Sequence, residues 1–370
     1  MSFAMAPHPI RKSPKPRARE LGIPFDGTLG PLNAITDVAG VEVGHATIIR
    51  GSGKLVVGRG PVRTGVTTIL PRGKRDAAPV FAGYFALNGN GEMTGTAWVE
   101  ESGQLTSPIL ITNTHSVGVV RDAVIEWQLR RRGLRQPWSL PVVAETYDGL
   151  LNDINGFHVT AKHAWSALDG ARPGHVAEGC VGGGTGMIGY GWKGGIGTAS
   201  RRLERKSGGY TVGVLVQLNC GRPGELVIAG VPVGHELRPS HDPFASQELG
   251  SIIIVAATDA PLMPHQLKRI ARRLTMGLAR TGSVSGNGSG DLFIAISTAN
   301  PAGSRRADVE TVKMLRNSRM DPLFTAAVQA TEEAIVNALA AADTMTGING
   351  YRVEAIPRDR LIEVMRKYGR

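Results

Sequence analysis

The stretch from Glu248 to Pro261, ELGSIIIVAATDAP, restricts the fold of this chain more than any other. A Gly-Ser pair, Gly250-Ser251, sits directly against an unbroken run of β-branched and small apolar residues. A run of that length and composition reads as a short strand buried on both faces, with the serine at its first position. Such a strand must be covered on each side, and 370 residues allow this in two domains or in one large sandwich or α/β domain.

Ser251 can act as a nucleophile only if some group takes its proton. A backbone cut between Gly250 and Ser251 would supply one, because the new α-amine would titrate at about 7.7 to 8.0. Glycine before the cut suits this, since a residue without Cβ tolerates strained φ/ψ and leaves its carbonyl open to attack. Taken alone, the same residues also fit a plain turn before a strand.

Composition narrows the alternatives. A content of 42% hydrophobic and 20% charged residues belongs to a globular chain, and no run of about 18 apolar residues is present to span a membrane. The net charge of +11 is partly local. Arg11, Lys12, Lys15, Arg17 and Arg19 crowd a proline-rich start, so residues 1–20 read as a mobile basic arm without an apolar signal region, and the cytoplasm is the expected compartment. These basic clusters lack interleaved aromatics, which argues against nucleic-acid binding. Cys180 and Cys220, the only cysteines, have no CxxC spacing and read as buried thiols, so neither a zinc site nor a disulfide framework is supported; no metal or cofactor is expected.

Along the chain, residues 29–45 alternate apolar residues with glycine turns, as in a β-hairpin. Strands are expected at 66–71, 78–87, 108–114 and 141–148, and Glu145 and Tyr147 in the last of these would share a face. A helix over 117–132 would bury Val120, Val124, Trp127 and Leu129. Nine glycines lie between Val181 and Gly197, but the phosphate-loop order is missing because Lys193 is followed by glycine. Residues 210–221 form a strand with Asn219 near its end. Residues 223–250, interrupted by prolines, read as an exposed linker accessible to cleavage. Helices follow over 264–281, with Leu267, Ile270, Ala271, Leu274 and Leu278 inward, and over 323–342. Between them, Ser289 and Asp291 precede a buried strand and are spaced to point the same way.

Together Ser251, Ser289, Asp291 and Asn219 supply a nucleophile, a second hydroxyl, a carboxylate and an amide donor, a set suited to acyl transfer or amide hydrolysis. The order of several longer strings carries a resemblance. DVAGVEVGH from Asp37, TNTHSVG from Thr112, GGGTGM from Gly182, KGGIGTASR from Lys193, VLVQLNCG from Val214, LGSIIIVAATDAPL from Leu249 and SGNGSGDLFIAISTAN from Ser285 resemble the DmpA family of self-processing aminopeptidases, which includes the β-peptidyl aminopeptidases. The resemblance implies an α/β fold of the N-terminal-nucleophile-hydrolase type, an αββα four-layer sandwich over residues 21–370, cut into 1–250 and 251–370. It implies Ser251 as the nucleophile of cleavage and catalysis, Ser289 and Asp291 as proton-transfer partners, Asn219 in the oxyanion hole, and Glu145 with Tyr147 receiving the substrate's amino group. Small peptides, amino-acid amides or esters would be the substrates, and a homotetramer of cut heterodimers the assembly. An acyltransferase of the ornithine acetyltransferase type is the alternative, although those enzymes use threonine as nucleophile.

Overall fold

A computed structural model describes residues 15–131, 136–241, 250–300 and 308–370. Within Ile252–Ala257, Ile252, Ile254 and Ala256 belong to one apolar cluster and Ile253, Val255 and Ala257 to another. Successive strand side chains leave opposite faces. A strand apolar at every position therefore joins two cores.

The first half of the described chain contains β1 (Glu42–Arg50), β2 (Val62–Leu70), β3 (Val80–Gly89), α1 (Thr96–Ser102), β4 (Gln104–Leu105), β5 (Ile109–Asn113), α2 (Val117–Arg131), β6 (Val142–Thr146) and α3 (Ala161–Gly170). Then come β7 (Ile188–Gly189), β8 (Trp192–Lys193), β9 (Gly195–Arg202), β10 (Thr211–Asn219) and α4 (Val233–Glu236). The remainder forms β11 (Ser251–Thr258), α5 (Pro264–Arg280), β12 (Gly290–Ser297), α6 (Asp321–Ala340), β13 (Met345–Thr346), β14 (Arg352–Val353) and α7 (Arg358–Lys367).

Two main sheets carry the fold, one in the order β1-β2-β5-β6 and one in the order β4-β3-β12-β11-β10-β9. Ile69, Ile111, Val142 and Ala144 of the first sheet meet Leu215, Ile253, Val255 and Ile294 of the second in a core between the sheets. Helices α5 and α6 cover the outer face of the second sheet, where Leu267, Ile270, Leu274, Ile335 and Leu339 pack on Val214, Ile252 and Phe293. Helices α2 and α3 cover the first, with Val120, Val124, Ala164 and Leu168 on Val66, Leu110 and Val143. The layers run α, β, β, α. Close seating of the helices needs small residues beneath them. A Cβ on Gly197 of β9 would lie 1.9 Å from the Ala334 carbonyl of α6, and one on Gly83 of β3 would lie 2.2 Å from the Lys268 nitrogen of α5.

Strands β11 and β12 are parallel, and α5 makes the crossover between them; β10 and β11 are antiparallel. Both pairings bring strand ends to the same edge of the sheet as Ser251. Among the described residues no helix is long and apolar enough to cross a membrane, and no group of three or more His, Cys, Asp or Glu could hold a metal ion.

Several expectations are corrected. The basic arm does not extend to residue 20. Lys15 pairs with Asp343 at 2.5 Å, Arg17 with Glu178 at 2.7 Å and Arg19 with Glu333 at 2.9 Å, while the Ala18 N–H donates to Asn337 Oδ1 at 3.0 Å. These cations are docked by carboxylates far along the chain rather than solvated; Met1–Pro14 lie outside the described residues. Residues 29–41 form turns, not a hairpin, because the Asp37 carboxylate accepts the Leu32 and Ala34 N–H groups and the Ser200 hydroxyl. Leu129 is 56% exposed. It lies nine residues after Val120, which at 3.6 residues per turn is the opposite side of α2. The segment from Pro223 to His241 is no exposed linker: Leu226, Ile228, Val231, Val233 and Leu237 are buried against the helix-covered core. Residues 242–249, the rest of that stretch, and Arg132 lie outside the described residues.

Candidate active site

Ser251 opens β11 with only 5% of its surface exposed. Strand register sets its neighbours. Asn219, the last residue of β10, pairs across from it on one side, and Gly290, the first residue of β12, pairs on the other. The Ser251 hydroxyl donates to the Gly250 carbonyl at 2.7 Å and accepts the Gly290 N–H at 3.3 Å. Ser289 and Asp291 flank Gly290 and are fully buried; the Ser289 hydroxyl donates to Asp291 Oδ1 at 2.7 Å. Register thus sets the backbone of Asn219 on one side of Ser251 and that of Ser289–Asp291 on the other, where three neighbouring strands of the larger sheet begin or end.

A close approach requires glycine at position 250: a Cβ would sit 2.5 Å from the Asn219 carbonyl and 2.7 Å from Cys220 Cα. Only glycine lets the chain pass this close to β10 while its carbonyl stays next to the serine hydroxyl.

The Asn219 amide is held at both ends. Its Oδ1 accepts the Ile188 N–H at 2.8 Å, and its Nδ2 donates to the Tyr147 carbonyl at 2.9 Å. An Nδ2 group has two hydrogens, so one remains after the Tyr147 bond. Asn219 can therefore serve as a donor to charge developing on an oxygen at the serine.

Glu145 is 3% exposed and lies on β6. Its Oε1 accepts the Glu92 N–H at 2.9 Å, and its Oε2 accepts the Thr114 hydroxyl. Burial pushes this carboxyl above its ordinary value, against the opposing pull of those two hydrogen bonds. A Cβ on Gly91 would touch Glu145 Oε1 and Gly290 Cα, each at 3.2 Å, so the carboxylate stands one small residue away from the backbone opposite Ser251. Tyr147 departs from expectation. Strand β6 ends at Thr146, so strand alternation does not place Tyr147 beside Glu145; its carbonyl meets Asn219 while the residue is 38% exposed. Burial, with Asp148 adding to it, raises the Tyr147 hydroxyl pKa.

Two supporting residues escaped the reading of the sequence. Asp148, next to Tyr147, is fully buried and pushed up to about 6 by desolvation, although Asn152 Nδ2 donates to its Oδ1 at 3.0 Å and Thr64 and Asn113 lie close by. Lys193 is also wholly buried, its ammonium donating to the carbonyls of Met187 at 2.6 Å, Gly194 at 3.0 Å and Gly184 at 3.4 Å. The available signal was a lysine set among glycines, tyrosine and tryptophan with no acidic residue nearby in sequence, which points to backbone carbonyls as its main partners.

Two sheets packed face to face between helix layers, with a strand-initial serine set against an amide and a hydroxyl–carboxylate pair, define a hydrolase of the N-terminal-nucleophile type. The comparisons give its family. The model of peptidase family S58 matches residues 33–353. The β-peptidyl aminopeptidase BapA of Sphingosinicella microcystinivorans is 53% identical over 371 residues, covering 96% of this chain and 93% of that protein. Among solved structures, the L-aminopeptidase D-Ala-esterase/amidase of Ochrobactrum anthropi, described as a variant of the Ntn hydrolase fold, superposes with a TM-score of 0.90 at 50% identity, covering 96% of this chain and 99% of that one. A β-aminopeptidase of Burkholderia sp. gives 0.89 at 50% identity with the same coverage. The chain belongs to peptidase family S58 and is an aminopeptidase.

Proposed function

We propose that this aminopeptidase is made by self-cleavage before Ser251 and then uses the freed serine to remove N-terminal residues from peptides, amides and esters. The observation that carries the proposal is the register row Asn219–Ser251–Gly290, with the serine hydroxyl 2.7 Å from the Gly250 carbonyl oxygen. In the uncut chain Ser251 Oγ attacks the Gly250 carbonyl carbon and its proton passes toward the Ser289–Asp291 pair. The Gly250–Ser251 C–N bond breaks, the nitrogen takes a proton, and an ester remains. Water hydrolyses the ester to a Gly250 carboxylate and a free Ser251 amine, leaving 1–250 and 251–370 folded as one body.

In the cut enzyme the Ser251 amine serves as base for its own hydroxyl. The hydroxyl attacks the carbonyl of the substrate's first residue, Asn219 Nδ2 donates to the oxyanion, and the amine or alcohol departs with a proton. Water then releases the first residue from the acyl-enzyme. Glu145 pairs the substrate's ammonium, a contact that offsets the cost of placing a charge in a partly desolvated pocket, and Tyr147 forms part of the same wall. The names of the similar proteins support β-, L- and D-residues as the range to test. As the family resemblance implies, the proposal extends to a homotetramer of cut heterodimers, checked by sedimentation, and to the cytoplasm as compartment, checked by fractionation.

A panel of aminoacyl p-nitroanilides, including D-Ala and β-homo residues, each with a free and an N-acetylated amine, tests the reading. Hydrolysis confined to free amines is expected; equal rates on the acetylated forms would remove Glu145 from its assigned role.

A further inference from the structure

Among the described residues the buried ammonium of Lys193 has no carboxylate as a hydrogen-bond partner; three backbone carbonyls accept from it, and the Cys180 side chain lies beside it. A desolvated charge is costly, and burial lowers this amine's pKa accordingly. Its shortest bond, 2.6 Å, goes to the Met187 carbonyl. The N–H of that same peptide unit belongs to Ile188, and it donates to Asn219 Oδ1 at 2.8 Å. At the other end of the Asn219 amide, Nδ2 faces the Tyr147 carbonyl and the serine edge. Two amide groups therefore stand in series between a buried cation and the donor proposed for the oxyanion.

We propose that Lys193 is a positioning residue for the hydrolytic reaction, polarising and orienting the Asn219 amide through the Met187–Ile188 peptide. The inference rests on Asn219 acting as oxyanion donor. A cation on the Met187 carbonyl draws electron density from its peptide, so the Ile188 N–H becomes a stronger donor. That N–H in turn polarises the Asn219 carbonyl and strengthens its Nδ2–H, since hydrogen bonds in series reinforce one another at low dielectric. The same ammonium fixes the loop: the Gly194 N–H also donates to the Met187 carbonyl, and a Cβ on Gly194 would lie 2.5 Å from the Leu218 carbonyl, immediately before Asn219. Charge that develops only in the transition state benefits from this arrangement more than the neutral substrate carbonyl does. The effect therefore belongs to kcat rather than to KM.

The test is a double-mutant cycle on the full chain with Lys193→Met and Asn219→Ala, reading kcat and KM separately for an aminoacyl amide. Circular dichroism and thermal unfolding establish which variants fold. Asn219→Ala alone should lower kcat by about 10² to 10³; an unchanged kcat would overturn the oxyanion role itself. With that role intact, Lys193→Met should lower kcat by about tenfold with KM within twofold. Combined with Asn219→Ala it should add less than about twofold, because no amide remains to polarise. A folded Lys193→Met enzyme with wild-type kcat, or losses that multiply in the double mutant, would overturn the relay and leave the oxyanion role standing. Ile188→Pro, which removes the middle N–H along with the buried isoleucine side chain and keeps the cation, gives a second route if Lys193→Met does not fold, with Ile188→Ala as the control for the lost side chain. It should reproduce the loss in kcat, and wild-type turnover in that variant would equally refute the proposal.

Discussion

Glu333 provides the sharpest quantitative check on how the N-terminal segment is held. It is fully buried on α6, and its carboxylate accepts Arg19 at 2.9 and 3.0 Å, Asn33 at 2.6 Å and Arg201 at 2.6 Å. Burial pushes its carboxyl up, but the hydrogen bonds and charges of Arg19 and Arg201, with Asn33, outweigh that and hold it below the ordinary range. Glu333→Ala leaves Arg201, itself 2% exposed, without its counter-charge. Breaking a buried pair from one side costs about 3–5 kcal/mol. With a urea slope of about 3 kcal/mol per M, the unfolding midpoint should fall by roughly 1 to 1.7 M at pH 7. The control is Glu126→Ala, which removes the exposed i,i+4 pair with Arg130 and should cost about 0.5 kcal/mol or less. Because the Glu333 carboxyl is depressed in the folded state, its contribution is present above the unfolded value and is lost as pH falls through the folded one. The two midpoints should therefore converge in acid. A neutral-pH shift no larger than that of Glu126→Ala would refute the view that this network docks the segment. In a chain cut after Gly250, Glu333 lies on one piece and all three donors on the other, so the same contacts would hold the pieces together.

Further outcomes follow from the site and the layers. Glu145→Gln should raise KM more than it lowers kcat. In the wild type KM should rise as pH falls through the elevated Glu145 value, giving an acid limb above the usual carboxylate range; a pH profile unchanged by the substitution would contradict this. Asp148, pushed up to about 6 from 3.8, is neutral in both states at low pH and carries its desolvation cost above pH 6. Asp148→Asn should thus match the wild type's stability near pH 3 and exceed it by up to about 3 kcal/mol at pH 7, read from urea midpoints. Gly197→Ala should lower the thermal midpoint or abolish folding, since its Cβ would meet the Ala334 carbonyl at 1.9 Å; unaltered unfolding would show that α6 can shift away freely.

Much of the core was legible because local pattern and tertiary burial agree. The stripe Leu267, Ile270, Ala271, Leu274 and Leu278 is buried as its spacing requires, and Ile252–Ala257 divides between two cores. The Ser289–Asp291 contact was likewise accessible from a spacing of two. What escaped depends on partners remote in sequence. Arg17 and Arg19 look like a solvated arm until Glu178 and Glu333, more than 150 residues away, are brought beside them. Leu226, Ile228, Val231, Val233 and Leu237 show no single periodicity, yet they are buried, because apart from the one turn of α4 the segment follows the core irregularly rather than as a long helix or strand. The close approach of Gly250 to the end of β10 is a further demand for glycine that is invisible without the register.

The central claim concerns the peptide bond before Ser251. Denaturing mass spectrometry of the purified wild type and of Ser251→Ala measures it directly. The account predicts two species for the wild type, one ending at Gly250 and one beginning at Ser251, and a single uncut, inactive chain for the variant. An active wild type that remains full length, or a variant that is cut at the same bond, would contradict it.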